Sequence, residues 1–284
     1  MPDTRQGPAT TAHAIAEKFV AARLAAARLD AFPGPIPPDL DAAYASQDAA
    51  IGLWPDVVGG WKVGWIGADW QKRVGEERLV GPIFRNAIVT ARPGEVVDLP
   101  VFDGGFSAVE AEFVVRIRED APPGKHSWTA DEAAGLVGGL HIGVESAGSP
   151  LATINELGPC VVAADFGNNA GLIVGPEIPE SLARDTASLT CETLIEGVLV
   201  GSGSAASLNG GPLAALAFAL GRCARRGRPL KAGDLVTTGA ASGIHDIRIG
   251  QSAIVRFGAF GEIRCRAVRA LPARAGGGRG ALGC

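Results

Sequence analysis

The chain has 284 residues, 47% of them hydrophobic and 20% charged, with a formal net charge of −4. That length can bury a full core, and a mild acidic balance without a Lys/Arg cluster leaves no electrostatic footprint for nucleic acid. No apolar run reaches the roughly 18 residues of a membrane span, no basic-then-apolar stretch marks a signal peptide, and five cysteines without Cys-x-x-Cys spacing fit a reducing, cytoplasmic setting.

Between Ala12 and Leu29 the spacing of Ile15, Phe19, Ala22, Ala26 and Leu29 predicts a helix, which the prolines of Pro33–Pro38 break. A second helix is expected from about Asp41, with Leu40, Tyr44, Gln47, Ile51 and Trp54 on one face and Pro55 as its stop. Past residue 56, short Val/Ile-rich runs alternate with Gly and Pro turns, the pattern of many short strands. WKVGW (Trp61–Trp65) reads as a strand on which Lys62 faces away from both tryptophans. AVEAEFVV (Ala108–Val115) reads as another. After a Pro/Gly loop, Thr129 and Glu132 form a capping box that opens a short helix. LHIGVES and LIVG near Ile173 follow as strands, and residues 188–204 as a hairpin turning at Glu196-Gly197. Pro212 opens a further helix whose closing arginines complement its dipole. DLVTTG, SAIVRF and EIRCRAV complete the strands, the last two joined by GAFG. Many strands with few helices argue against a doubly wound α/β sheet and for an α+β class. The expected organisation is a helical segment over 1–58, a β-rich domain over 59–271 and a disordered Gly/Arg/Ala tail over 272–284.

Glu110 and Glu112 carry the chemical interest. Two residues apart on a strand, they point to the same face roughly 7 Å from one another, inside an otherwise apolar run. Either the strand is an edge with one wet face, or the pair helps to hold a hard divalent cation that relieves their repulsion. The best third oxygen ligand is Glu145, the lone carboxylate of LHIGVES. Three carboxylates outweigh one divalent ion in charge, which suits a site with open positions for water and a chelating substrate.

The order GWKVG (Gly60–Gly64), GPIF (Gly81–Phe84), Glu-x-Glu, GVES, ADFGNNAGLIVG (Ala164–Gly175), GGPLAALAFAL (Gly210–Leu220) and LKAGDLVTTGA (Leu230–Ala240) resembles the 2-keto-4-pentenoate hydratase and 4-oxalocrotonate decarboxylase group. That group belongs to the fumarylacetoacetate hydrolase superfamily, and the resemblance spans about residues 12–268. It implies a strand-rich mixed β-roll behind a helical N-terminal segment, Mg²⁺ or Mn²⁺ as the ion, a small 2-oxo acid as substrate and a homo-oligomer. By the same resemblance Glu110, Glu112 and Glu145 match metal ligands and Lys62 the active-site lysine. Asp165 falls near the site as a proton carrier or supporting group, with an Asx-turn before Gly167 as the alternative. Asn168, Asn169 and Thr238 fall at substrate-binding positions.

Lys62 is expected to act by charge pairing rather than through a strongly depressed pKa, since alternation keeps the tryptophans off its face. The chain also departs from the family's pattern. Gly148 and Pro150 stand where the family has Asp and Arg, and Asn168 and Asn169 replace a serine pair. Hydration of a 2-hydroxy-2,4-dienoate is the expected reaction, ahead of 4-oxalocrotonate-type decarboxylation, C–C hydrolysis of an acylpyruvate, or a non-catalytic partner subunit. Hydrolysis needs a base: His13 falls on the first helix and His126 in a loop, while His245 after TGAASG is open as a loop base and His141, which shares strand parity with Glu145, as either a neighbour of the site or a core histidine.

Overall fold

The computed structural model describes residues 8–183 and 186–273; the tail expected over 272–284 lies outside the described residues from 274 onward. Helix α1 (Pro8–Leu24) starts and stops earlier than the apolar spacing suggests. Proline is tolerated in its first turn. At the other end Ala26 takes a left-handed φ of 50°, and the Leu29 N–H is used by the Pro150 carbonyl instead of continuing the helix. Ile15, Ala16, Phe19 and Val20 form its buried face. Helix α2 (Leu40–Leu53) is capped by Asp39, whose side chain accepts the Ala42 N–H, as the orphan donors of a first turn require. Among its buried residues, Gln47 donates to the carbonyls of Val80 (3.0 Å) and Ala163 (2.6 Å), fastening the helices to the β-rich body.

That body runs β1 (Val58–Trp65), α3 (Ala68–Val74), β2 (Arg78–Phe84), β3 (Ile88–Thr90), β4 (Val96–Val101), β5 (Phe106–Ile117), α4 (Ala130–Ala134) and β6 (Val137–Ser149). It continues through α5 (Pro159–Ala164), β7 (Asn169–Ile178), α6 (Glu180–Ala183), β8 (Thr190–Ile195), β9 (Val198–Ser204), α7 (Gly211–Arg225), β10 (Leu235–Thr237), β11 (Ile244–Asp246), β12 (Ser252–Arg256) and β13 (Glu262–Arg269). The Thr129–Glu132 capping box is formed at α4, and β8 and β9 pair as the predicted hairpin. Among the described residues the strands form two sheets, one in the order β2-β1-β10-β5-β6-β7-β3 with β11 also on β5, the other in the order β4-β13-β12-β8-β9. The protein is thus mixed α+β and strand-rich. No helix among the described residues is long and apolar enough to cross a membrane.

Strand β5 is not an edge. It lies between β6 on one side and β10 and β11 on the other, and every residue from Ala108 to Val115 is buried. The wet-edge reading of Glu-x-Glu is therefore excluded. On the strand's other face Phe113 meets Phe257 edge to ring at 5.7 Å, part of a continuous core; burying one such ring contributes about 1.5–3 kcal/mol.

Between α5 and β7 the chain makes a left-handed turn, with φ of 53° at Phe166, 67° at Gly167 and 62° at Asn168. A bulky residue there is strained unless its surroundings hold it. The Phe166 ring is held at 4.9 Å from Phe84 and 5.6 Å from Trp54, with the Arg23 guanidinium 5.0 Å away. Gly81 of β2 makes the turn possible: a Cβ there would run into the carbonyl of Phe166 and lie 2.8 Å from Gly167 Cα. Gly81→Ala is expected to cost about 1–3 kcal/mol by overpacking, read by urea unfolding; a change below about 0.5 kcal/mol would show that the turn does not depend on this contact.

Candidate metal centre

Glu110 and Glu112 arrive from β5 and Glu145 from β6, where Glu145 sits directly across from Glu110 in the antiparallel ladder. One oxygen from each lies within 4.8 Å of the others, and the three residues are 3%, 0% and 0% exposed. Two of the three carboxylates are aimed by hydrogen bonds. The backbone N–H groups of Thr238 and Gly239 donate to Glu112 Oε2 at 2.9 and 2.7 Å. Thr237 Oγ1 donates to Glu145 Oε2 at 2.9 Å and Asn169 Nδ2 to Glu145 Oε1 at 3.2 Å. Lys62, brought alongside because β1 pairs in parallel with β10 at Lys62↔Thr237, puts Nζ 3.3 Å from Glu145 Oε1.

Burial, then the neighbouring Glu145, pushes the Glu110 carboxyl up to about 7 against the pull of Lys62. Burial and the charges of Glu145 and Glu110 raise Glu112 well above the carboxylate range. Burial alone would lower the Lys62 ammonium, yet Glu145, Glu110 and Glu112 outweigh it, and its pKa lies above the usual lysine value. Such a set is short of positive charge. Moreover, Glu112 Oε1 is buried with no hydrogen-bond partner, a loss that native interiors seldom tolerate. Oxygen donors at this spacing with one left open fit a hard divalent cation.

A cavity of about 460 Å³ opens beside this cluster, lined by Lys62, Glu110, Asn168 and Thr238 among others. The remaining sequence candidates lie elsewhere. Asn169 does not line it and instead holds Glu145. Asp165, expected as a proton carrier or supporting group, is placed as a supporting group: both its oxygens are occupied at 2.6 Å, one by Arg23 Nε and the other by Ser149 Oγ, and it does not line the cavity. It supports the left-handed turn. Gly148 and Pro150 likewise turn away from the cavity, their carbonyls taken by Arg23 Nη2 and the Leu29 N–H. None of the four histidines lines it. His141 lies roughly 13 Å along β6 from Glu145, with Nδ1 3.4 Å from the Gly175 carbonyl, and His245 Nε2 contacts the Ser242 carbonyl at 2.9 Å.

Sequence reasoning missed Thr237 and Arg23. Thr237 neighbours a quoted threonine, but only the β1–β10 pairing places it beside Lys62. Arg23 had a signal, since it continues the Ile15, Phe19 stripe at a spacing of four. It reaches from α1 to Asp165, the Asn169 carbonyl at 3.0 Å and the Gly148 carbonyl at 2.9 Å.

The profile of the family described as "Fumarylacetoacetate (FAA) hydrolase C-terminal" matches residues 71–271. Among solved structures, the fold is similar to that of 4-oxalocrotonate decarboxylase from Pseudomonas putida G7, complexed with calcium and acetate, with a TM-score of 0.75 and 22% identity over 93% of this chain and 100% of that one. The same enzyme complexed with magnesium and adipate gives 0.76 at the same identity and coverage. Fumarylpyruvate hydrolase from Pseudomonas aeruginosa, in complex with Mn²⁺ and pyruvate, matches at 0.56 and 18% identity over 74% of this chain and 89% of that one. No curated protein sequence matches the chain.

The electrostatics predict an unusual pH profile for the metal-free protein. An unfolded glutamate titrates near 4.3, whereas folded Glu110 holds its proton up to about 7. The folded state thus binds more protons between those values, and stability falls as pH rises from about 4.5 to 7. Melting temperature measured with a chelator should drop across that window, and Mn²⁺ at pH 7.5 should restore it. Glu112→Gln should melt higher than the parent without metal and gain less with it. A flat profile with no Mn²⁺ response would contradict the crowding.

Proposed function

The chain belongs to the fumarylacetoacetate hydrolase family, and on that premise we propose that it is a divalent-metal-dependent hydratase adding water to a small 2-hydroxy-2,4-dienoate. The observation that carries the reading is the dry triad Glu110, Glu112 and Glu145 with Lys62 at its side, opening on one cavity. In this proposal the triad holds Mg²⁺ or Mn²⁺, which supplies Lewis acidity toward the C2 carbonyl of a 2-oxo acid.

The chain's own residues do the rest. Lys62 stays protonated among the carboxylates, so it offers the substrate carboxylate a fixed cation and hydrogen-bond donors rather than a base. Glu110 lines the cavity, so it is the triad member through which the ion would meet a substrate. Asn168 lines the cavity with a buried Oδ1 that has no partner, an acceptor available to orient a substrate hydroxyl or a water. Trp65, Trp70 and Leu208 supply the apolar wall that limits bulk water. Residues 59–271 carry this chemistry, and α1 steadies it through Arg23. A cytoplasmic homo-oligomer is part of the same proposal. Its support is the four buried free cysteines among the described residues, with Cys284 outside them, and the exposed Val198 and Leu199 on β9.

Decarboxylation of an oxalocrotonate-like diacid is the second reading, favoured by a second cation, Arg78, on the wall of the same cavity, and in keeping with the adipate held by the fold relative from Pseudomonas putida G7. Hydrolysis of an acylpyruvate lacks a histidine at the cavity, and an inert partner subunit leaves the aiming of Glu112 and Glu145 unexplained. Incubation with 2-hydroxypenta-2,4-dienoate and with 2-oxohex-3-enedioate, with and without Mg²⁺, separates the readings. Metal-dependent loss of ultraviolet absorbance without CO₂ is expected, and CO₂ release would favour the decarboxylase. Glu110→Gln should lower kcat/KM at least about 100-fold with the fold intact; full activity in that variant would sink the assignment.

A further inference from the structure

The face of β1 that carries Lys62 also carries Gly64, and their partners on β2 are Gly81 and Leu79. Directly paired residues share a face. A Cβ at Gly64 would stand 3.4 Å from both Leu79 Cδ1 and Lys62 Nζ, so the missing side chain leaves a lane between the ammonium and a leucine. The far side of the triad is built alike. Ile244 pairs directly with Glu110 across β11 and β5, which puts an isoleucine that is 53% exposed beside a buried carboxylate. Leu208 Cδ2 lies 3.2 Å from where a Cβ of Gly239 would be, next to the N–H that holds Glu112. On α3, Trp70 leans on Gly158, where a Cβ would meet its ring at 2.6 Å. All four apolar side chains line the cavity. Polar groups on the wall are largely engaged with one another. Asn168 Nδ2 donates to Asn155 Oδ1 at 3.4 Å, and Ser207 Oγ accepts the Ser204 N–H at 3.0 Å. Arg78 pairs with Trp65 on the face opposite Lys62, its guanidinium 4.8 Å from the centre of that ring. What leads away from the triad beside Lys62 is therefore apolar.

Volume points the same way. The cavity holds about 460 Å³. An unsubstituted five-carbon dienoate has about eight heavy atoms, which fill about 240 Å³ even at the roughly 30 Å³ that each molecule of liquid water takes up. Much of the cavity is left over, and an apolar remainder gains by taking up a ligand group in place of water. We infer that the substrate carries an apolar substituent of about four to six carbons at the end remote from its carboxylate, lodged among Ile244, Leu208, Trp70 and Leu79, with Ile244 and Trp70 as specificity-determining residues. The inference rests on the dienoate reading above and deepens it. Such a group lies beyond the reacting carbons, so it adds affinity without altering the chemistry.

Calorimetric titration of the Mn²⁺-loaded full chain tests this with three saturated 2-oxo acids: 2-oxopentanoate, 2-oxodecanoate and 2-oxohexanedioate. The parent should bind the decanoate at least about 20-fold more tightly than the pentanoate, since each methylene taken out of water adds up to about 4-fold. Ile244→Ser and Trp70→Ala should each weaken the decanoate by about 5-fold or more and move the pentanoate by less than about 2-fold. Ile244 is exposed and α3 has no buried residue, so both variants keep the fold. Equal binding of decanoate and pentanoate by the parent, or tighter binding of the hexanedioate than of the decanoate, would overturn the inference while leaving the 2-oxo acid reading standing. Decanoate affinity that neither substitution changes would overturn it too, because the tail then binds elsewhere. Binding of none of the three would remove that reading and this inference with it.

Discussion

Mutual repulsion of three carboxylates in a dry interior is the constraint that organises this protein. At separations of 4.8 Å or less, each fully ionised pair costs about 3 kcal/mol or more at an effective dielectric constant of ~20. No fold would retain that arrangement for stability, given how small the net stability of a domain is. The surrounding donors are the response. Thr237, Asn169 and two backbone N–H groups each contribute a hydrogen bond, and Lys62 contributes a charge. Together they fix where the oxygens of Glu112 and Glu145 point, yet they leave Glu112 Oε1 open. A buried carboxylate oxygen left open beside two further carboxylates is what a cation site requires before its ion arrives.

The rest of the architecture can be traced outward from that need. Lys62 reaches the cluster because β1 pairs with β10, and Thr237 because β10 pairs with β5. Asn169 reaches Glu145 because the chain reverses through the left-handed turn at Phe166–Asn168. That turn is strained, and its strain is offset by Phe84, Trp54 and Gly81 on one side and by Arg23 with Asp165 on the other. The N-terminal helix is therefore tied to the site through a buried ion pair. Removing one partner of such a pair leaves an uncompensated charge and typically costs 3–5 kcal/mol.

Much of this was legible in the sequence. Period-two alternation put Glu110 and Glu112 on one face, prolines bounded α2, a capping box opened α4, and a two-residue Glu196-Gly197 turn marked the β8–β9 hairpin. These features are local, fixed by dihedral preferences and hydrogen bonds a few residues apart. What escaped was non-local. Strand order decides that β5 is interior rather than an edge, and that Trp65 faces Arg78. Asp165 shows the same limit from the other side. Its place in ADFGNN suggested chemistry, whereas a partner 142 positions earlier in the chain claims its carboxylate. The end of α1 was misplaced for a related reason, since the backbone at Leu29 is recruited by Pro150.

The central claim is that Glu110, Glu112 and Glu145 share a divalent cation. Titration of the chelator-stripped protein with Mn²⁺, followed by the electron paramagnetic resonance signal of the free ion, tests it most directly. The account predicts that the first equivalent of Mn²⁺ per chain is silenced in the parent, and that Glu145→Gln leaves the ion free. Parent protein that silences no Mn²⁺, or a variant that silences as much as the parent, would contradict it.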